Sequence, residues 1–243
     1  AERELKRIQS KFPELDDNLS RWEAVDAEDV SDAFEIGDVD LDEEEEFDPE
    51  IKEWLAEERE RRPVIGARLR RLFKWQGEES EKVYENGKLV GFELELDGGE
   101  RQPYPYVSPR MESVVSLVVS GDTQGLDSVL ENFSHVEKLQ VQIGELQQLP
   151  NSLDDMTALR HLDMSECQIT LTPPDVDRLA RLTRLKTLNL RHNPLTIPPD
   201  VGDMTELRSL DLSDTDLSEF PAGVSPQIPS HHLILQNNQI PTI

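Results

Sequence analysis

One side chain of this sequence is a candidate for a catalytic nucleophile, and it is a thiol. Cys167 is the only cysteine among 243 residues, and a thiolate acts as a nucleophile when a neighbouring base activates it. No histidine or carboxylate stands at a recognisable motif spacing from it, and the sequence holds no phosphate-binding loop, no G-x-S-x-G and no H-E-x-x-H. We therefore predict that this chain has no catalytic residue and takes no cofactor.

Two groups of residues could ligate a metal ion, but neither has the spacing of a complete site. Asp38, Asp40 and Asp42 imitate the start of a calcium-binding loop, but a glutamate follows where that loop needs glycine. His231-His232 are adjacent, so in a strand their side chains would point to opposite faces. The sequence therefore predicts no metal site.

The charge of the chain disfavours two classes of partner. The sequence carries 25 Lys and Arg against 51 Asp and Glu, a net charge of −26. Nucleic acids and anionic membrane surfaces bind cationic faces, so neither is expected as a partner. No apolar stretch approaches the roughly 20 residues of a membrane span. We expect the partner to be a protein.

The chain divides into three parts. Residues 1–62 hold 24 acidic and 9 basic residues and are predicted to be an acidic, partly helical region. Within it, one helix is expected before Pro13 and another from Pro49 onwards. Residues 63–89 are predicted to be a basic amphipathic helix followed by an entrance or capping segment, and residues 90–243 are predicted to be repeats.

The densest acidic run lies between residues 38 and 50. Like charges at this density repel one another, and the nearest concentration of opposite charge is the four bases within residues 63–75. We therefore expect residues 38–48 to contact the bases of residues 68–74, or to lie across the basic column described below.

From about residue 90, an apolar pattern L-x-L-x-x-N-x-L recurs at spacings of 22 to 26 residues. Such periods are typical of leucine-rich repeats, whose units span about 20–29 residues. We therefore predict an α/β solenoid, a leucine-rich-repeat horseshoe of about seven coils with a parallel sheet on its concave side. The longest spacing leaves room for a helical return segment that starts near Pro173 and Pro174. The first leucines of the pattern, the landmark leucines, are Leu94, Leu117, Leu139, Leu162, Leu188, Leu210 and Leu233.

The Asn position of the pattern is expected to bond to backbone groups where the chain leaves each strand. Such groups would otherwise be buried and unpaired, at a cost of about 1–3 kcal/mol each. The predicted structural ladder consists of Cys167, Asn193, Thr215 and Asn238. The first three coils depart from it, with Gly99, Asp122 and Gly144. Cys167 is therefore interpreted as a buried structural residue and not as a nucleophile.

Strand residues that point away from the core form the predicted binding surface. A basic column stands two residues before the landmark leucines of the later coils, and an acidic and amide column stands one residue after them. The predicted partner-binding residues are Arg160, Lys186, Arg208 and His231 in the basic column, Asp163, Asn189 and Asp211 in the second column, and Arg191 two positions beyond Asn189.

Several segments resemble a known family. LKTLNLRHNPLTIPPDV at residues 185–201, LRSLDLSDTDL at residues 207–217, KWQ at residues 74–76 and GFELEL at residues 91–96 resemble the leucine-rich-repeat region of large bacterial effector-like proteins. In that family such repeats precede a novel-type ubiquitin ligase domain with a catalytic Cys-x-Asp motif. The resemblance covers about residues 60–243. The repeats here are longer than those of the better-known ligases, and no Cys-x-Asp motif occurs, so the ligase domain is absent from this chain.

The resemblance implies a role for a longer parent protein. It would leave the bacterial cytoplasm, enter a host cell as a secreted virulence effector, and transfer ubiquitin through a cysteine of its ligase domain. The repeats would select the substrate or restrain the ligase domain. The alternative is a non-enzymatic effector or scaffold that binds a host protein.

The array stops one strand and one turn into its seventh coil. Terminal repeats need a polar outer face, and Leu233, Leu235 and Ile240 would meet no following coil. We therefore expect the native chain to continue beyond residue 243, and the resemblance suggests that it continues into the ligase domain.

Overall fold

One sheet runs through most of the chain in this computed structural model, which describes residues 2–37, 39–98, 101, 104–105, 107–108, 110–224, 226 and 228–241. Within these residues the strands lie side by side in the order in which they occur along the chain. They are β1 (Lys82–Glu85), β2 (Lys88–Asp97), β3 (Val114–Ser120), β4 (Lys138–Gln142), β5 (His161–Asp163), β6 (Thr187–Asn189), β7 (Ser209–Asp211) and β8 (Leu233–Ile234).

The landmark leucines align across the sheet. From β2 to β8 each strand is parallel to the next, and every landmark leucine is the register partner of the one before it. These leucines and the apolar residues two positions later are buried from β2 to β7, whereas Leu233 and Leu235 at the β8 end are half-buried. Because neighbouring strands supply each other's core in this way, the parallel strands fit the predicted repeat fold.

The prediction of a wholly parallel sheet is wrong at its first strand, because β1 runs antiparallel to β2 and the sheet is mixed. Asn86 and Gly87 connect the two strands, and both have a left-handed backbone conformation, with φ of 51° and 76°. A two-residue turn of this type joins antiparallel strands. The chain therefore enters the array through a hairpin.

The segments that return from one strand to the next are short helices and turns. They include α4 (Leu126–Asn132), α5 (Pro173–Ala180) and the 3-10 turns Asn151–Asp155 and Ser230–His232. α5 is the helix predicted for the longest spacing. It begins where the Asp175 carboxylate accepts hydrogen bonds from the backbone N–H and the hydroxyl of Thr172, at 2.9 and 2.5 Å.

The described residues of the N-terminal region are largely helical. Its helices are α1 (Glu2–Glu23), α2 (Ala27–Phe34) and α3 (Pro49–Phe73). α1 continues through Pro13, where the sequence predicted an end, and α3 crosses the predicted boundary between residues 62 and 63 without a break. No helix in the described ranges is both long and apolar enough to cross a membrane.

α1 and α3 close the first end of the array. Leu15 and Leu19 of α1, with Leu69 and Leu72 of α3, belong to the same buried core as Phe92 of β2. Burial of these residues beyond Pro13 offsets the backbone hydrogen bond that a proline removes from a helix. The helices therefore cover the face of the first parallel strand that has no preceding coil.

Among the side chains that the structure describes, the acidic run pairs with the middle of α3 and not with the bases predicted for it. Glu44 forms a two-pronged ion pair with Arg59 in the middle of α3, at 2.9 and 3.0 Å, while Asp38 lies outside the described residues. Arg68 and Arg71 donate instead to the buried carboxylate of Glu81. The prediction fails because the bases of residues 68–74 face the hairpin side and α1, where other carboxylates are closer.

A buried ion pair joins the three N-terminal helices. Arg62 and Glu58 of α3 are both fully buried, and their side chains bond at 2.7 Å. Arg62 also donates to the Asp29 carboxylate of α2 and to the Trp22 carbonyl of α1. Burial alone would lower the pKa of Arg62, but the hydrogen bonds to Asp29 and Glu58 outweigh it and raise that pKa above its ordinary value.

Candidate functional site on the open face of the sheet

The side chains that alternate with the buried leucines form a polar surface, which we call the open face. It comprises the strand positions one before, one after and three after each landmark leucine, and the residues two before, where the strands begin, form its edge. Since successive strand side chains point to opposite sides, burying the leucines turns these positions outward. Most of them are half-buried or exposed, as a surface available to a partner requires.

The predicted basic column stands along the edge where the strands begin. The Arg160 N–H donates to the Glu137 carbonyl at 2.7 Å, Lys186 N–H to the Arg160 carbonyl at 2.7 Å, and Arg208 N–H to the Lys186 carbonyl at 2.8 Å. These bonds place Arg160, Lys186 and Arg208 on consecutive rungs. We call these three residues the basic row.

His231, the fourth residue of the predicted column, lies in the 3-10 turn before β8. Its ring packs against that of His232, with the ring centroids 4.4 Å apart. Within the described ranges, no group of three or more His, Cys, Asp or Glu side chains is placed to hold a metal ion.

The three cations of the basic row differ in their surroundings. Arg160 pairs with Glu85 of β1 at 3.2 Å and with Glu137 at 3.4 Å. Arg208 donates to the backbone carbonyls of Thr205 and Leu207. The Lys186 ammonium has no partner among the residues that the structure describes. Lys186 is therefore the member of the basic row with a charge left to offer a ligand.

The acidic and amide column is bonded internally. The Asp163 carboxylate accepts hydrogen bonds from the backbone and hydroxyl of Ser165 and from the Asn189 amide. Asp211 accepts the same two bonds from Ser213. These carboxylates hold the turns where β5 and β7 end. Arg191, beyond them, pairs with Glu166 at 2.8 Å.

A cleft of about 260 Å³ opens beside the basic row. The β1–β2 hairpin forms one wall with Val83, Tyr84 and Glu85, and residues at or just before the start of β3 to β6 form the floor, including Lys138 and Arg160. The pair between Glu85 and Arg160 links the hairpin to β5, three strands away from β2. The hairpin therefore overhangs the edge of the sheet.

The cations Lys138, Arg160 and Lys186 line the cleft together with three carboxylates, those of Glu85, Glu93 and Glu137. Burial lowers the pKa of His161, which lines the cleft, and the nearby charges of Lys186, Lys138 and Arg160 lower it further. Glu137 acts in the opposite direction but does not reverse the shift. The imidazole is therefore held neutral, with its Nδ1 at 2.9 Å from the Thr187 hydroxyl.

Comparison with known protein families identifies part of this surface. Residues 183–222 match the model of Leucine Rich repeats (2 copies), and residues 158–179 match the Leucine Rich Repeat model. These residues are leucine-rich repeats. They carry β5, β6 and β7, and with them the basic row. A search of curated proteins finds no match to the chain.

Two asparagines of the ladder, Asn193 and Asn238, each accept from two backbone N–H groups and donate to backbone carbonyls. Asn193 is buried, and its Oδ1 accepts from the backbone N–H groups of Cys167 and Ile169, at 3.1 and 2.9 Å. Its Nδ2 donates to the carbonyls of Met164 and Leu190, both at 2.8 Å. One side chain therefore satisfies backbone groups of two adjacent coils.

The last two ladder residues bond to each other. The Thr215 hydroxyl donates to the Leu212 carbonyl at 2.7 Å and lies 3.0 Å from Asn238 Oδ1. Asn238 Oδ1 also accepts from the Leu217 N–H, at 2.9 Å. Gly99, the ladder position of the first coil, lies outside the described residues.

Cys167 sits in the ladder with its thiol directed at backbone oxygens. Its Sγ lies 3.3 Å from the carbonyls of Val141 and Ser165, and the side chain is fully buried. Burial raises the pKa of the thiol, which keeps it protonated. Since the thiolate is the nucleophile, this geometry favours a structural role.

In the native protein, the Cys167 thiol is expected to react with a thiol reagent much more slowly than a free model thiol does. In denaturant, Cys167 is expected to react at the same rate as the model thiol. Cys167→Ser is expected to keep the fold, because a serine hydroxyl can donate to the same carbonyls. Cys167→Asp is expected to destabilise it through an unpaired buried charge. Labelling of the native protein faster than the model thiol would contradict the buried position.

Sequence reasoning missed the hairpin and the internal bonds of the acidic column. Both have local signals. Asn86-Gly87 between two β-prone runs is a strong hairpin sequence. Asp163 and Asp211 each stand two residues before a serine. At this spacing an Asp side chain can accept a hydrogen bond from the backbone N–H two residues further on.

Proposed function

We propose that the open face of these leucine-rich repeats binds a protein partner, within a curved horseshoe of about seven coils. Leucine-rich repeats commonly mediate protein–protein interaction, and the exposed strand face of a solenoid is its extended binding surface. The observation that carries the proposal is the basic row, which places three cations on consecutive rungs of a chain whose net charge is −26. A partner with an acidic edge complements this row.

The resemblance to bacterial effector-like ligases supports a more specific role. In this proposal the chain belongs to a longer protein that is secreted into a host cell, where the repeats select a substrate for ubiquitin transfer or restrain the ligase domain. A non-enzymatic scaffold is the alternative. In that case the repeats would bind a host protein without transferring ubiquitin to it.

Site-specific photo-crosslinking tests the binding surface. A photo-crosslinking amino acid at Gln142 or Arg191, both exposed on the open face, is expected to capture the same protein from host lysate. The matched control places it at Asp177, which is also exposed but lies on the return helix α5. Equal capture from Asp177, or capture from Asp177 alone, would count against the open face.

A ubiquitin-transfer assay tests the ligase role. This chain alone is expected to discharge no ubiquitin from a charged conjugating enzyme. The parent protein is expected to transfer ubiquitin, to keep its activity as Cys167→Ser, and to lose it when a cysteine beyond residue 243 is replaced. Discharge by the isolated chain would contradict the binding-module proposal. A parent inactive with several conjugating enzymes, and with its repeats deleted, would favour the scaffold.

A further inference from the structure

The cleft under the β1–β2 hairpin joins an apolar wall to a cationic floor. Val83, Val90 and Val115 line it as half-buried side chains, and Tyr84 beside them is 52% exposed. An apolar side chain from a ligand would bury this surface further. The wall therefore favours a ligand with an aliphatic or aromatic group.

The floor supplies one cation without a partner among the described residues and one whose two carboxylate partners are exposed. Lys186 has no partner among the described residues, and Arg160 is held by Glu85 and Glu137, whose side chains are 52% and 43% exposed. Exposed ion pairs contribute little to stability, so a ligand carboxylate can displace one of them at small cost.

We propose that this cleft binds an extended segment of a protein partner, whose carboxylate side chain meets Lys186 and Arg160 while an adjacent apolar side chain packs on the valines and Tyr84. Glu85 occupies the Arg160 side of this site in the free protein and competes with the ligand carboxylate. The proposal rests on the proposed protein-binding function and adds the chemistry of the segment that is bound.

Charge balance favours a carboxylate over a phosphate group. Glu85, Glu93 and Glu137 all line the cleft, and Lys138 is already paired with Glu93 at 3.2 Å. A dianion would meet these carboxylates, whereas a single negative charge is matched by Lys186 alone. A nucleic acid would offer no apolar side chain to the valine wall.

Peptide selection on the full chain tests the proposal. The probe is a phage-displayed library of random heptapeptides. Each peptide is fused to the coat protein through its C terminus, so that the only carboxylates in the peptide are those of its side chains. Selected peptides are expected to share an Asp or Glu next to an aliphatic or aromatic residue. A synthetic copy of the best peptide is expected to lose affinity when its acid is replaced by the matching amide.

Three variants of the chain then locate the peptide. Lys186→Ala is expected to weaken binding about tenfold through the lost charge-assisted hydrogen bond. Glu85→Gln is expected to strengthen binding by about two- to fivefold, because it removes the competing carboxylate. Arg181→Ala is the control. Arg181 follows α5 in the coil that leads to Lys186, and it pairs there with Asp154. Its removal is expected to leave the affinity unchanged.

Several results would overturn the proposal: no selected peptide, selected peptides without an acid, unchanged affinity in Lys186→Ala, or weaker binding in Glu85→Gln. Displacement of the peptide by inorganic phosphate at equal concentration would assign the cleft to a phosphate ligand and overturn it as well. If a photo-crosslinking amino acid at Gln142 or Arg191 still captures a partner, these results reject the proposed cleft ligand and leave the binding function of the open face in place. Failure of both experiments would reject the binding function itself.

Discussion

Replacing Asn193 with alanine is expected to lower the free energy of unfolding by about 3–5 kcal/mol. The change leaves two buried N–H groups, those of Cys167 and Ile169, without an acceptor. It also removes the amide that donates to the carbonyls of Met164 and Leu190. Because all four groups lie in the interior between two coils, water cannot replace the carboxamide without opening the array.

The measurement is urea denaturation combined with amide hydrogen exchange. Each coil of a solenoid contacts only its neighbours, so exchange is expected to accelerate first around residues 164–169 and 190–195. Asn132→Ala is the matched control, because the Asn132 amide makes an exposed bond to the Ser128 carbonyl at the end of α4. We expect the control to stay within about 1 kcal/mol of the unchanged protein. A similar loss in both variants would contradict the ladder role of Asn193.

The repeating part of the fold was predictable because the buried apolar residues recur periodically along the sequence. The landmark leucines recur at a nearly fixed spacing, and each one occupies a strand whose neighbour has the same pattern, so the register follows once the period is recognised. The same spacing placed Arg160, Lys186 and Arg208 at equivalent positions, which the structure brings onto consecutive rungs.

The partners of these side chains were not predictable in the same way. Arg160 pairs with Glu85, which lies 75 residues earlier on a hairpin outside the repeat pattern. Glu44 of the acidic run pairs with Arg59 of α3, the helix that begins just after the run, and not with the denser bases beyond Pro63. Pairings between distant charges depend on how whole elements pack, and charge counts along the chain do not contain that information.

Replacing Arg62 with methionine is expected to destabilise the N-terminal helices by about 3–5 kcal/mol, the cost of leaving one member of a buried ion pair uncompensated. Glu58 is fully buried and, among the described residues, would keep Arg61 as its one cationic partner. The Asp29 carboxylate and the Trp22 carbonyl would lose the donor that ties α2 and α1 to α3. The loss is expected in chemical denaturation, with faster hydrogen exchange in α1 and α2.

Two further variants separate the buried charge from the loss of one arginine. Arg59→Met removes the partner of Glu44 one turn earlier in α3, where both side chains are partly exposed, and is expected to cost no more than about 1 kcal/mol. The double variant Glu58→Leu/Arg62→Met removes both buried charges, and replacing a buried pair by apolar residues of similar volume is often close to neutral. It is therefore expected to recover much of the stability lost in Arg62→Met. If the double variant is less stable than the single one, the Glu58 carboxylate is not the source of the cost, and the bonds of Arg62 to α1 and α2 account for it instead.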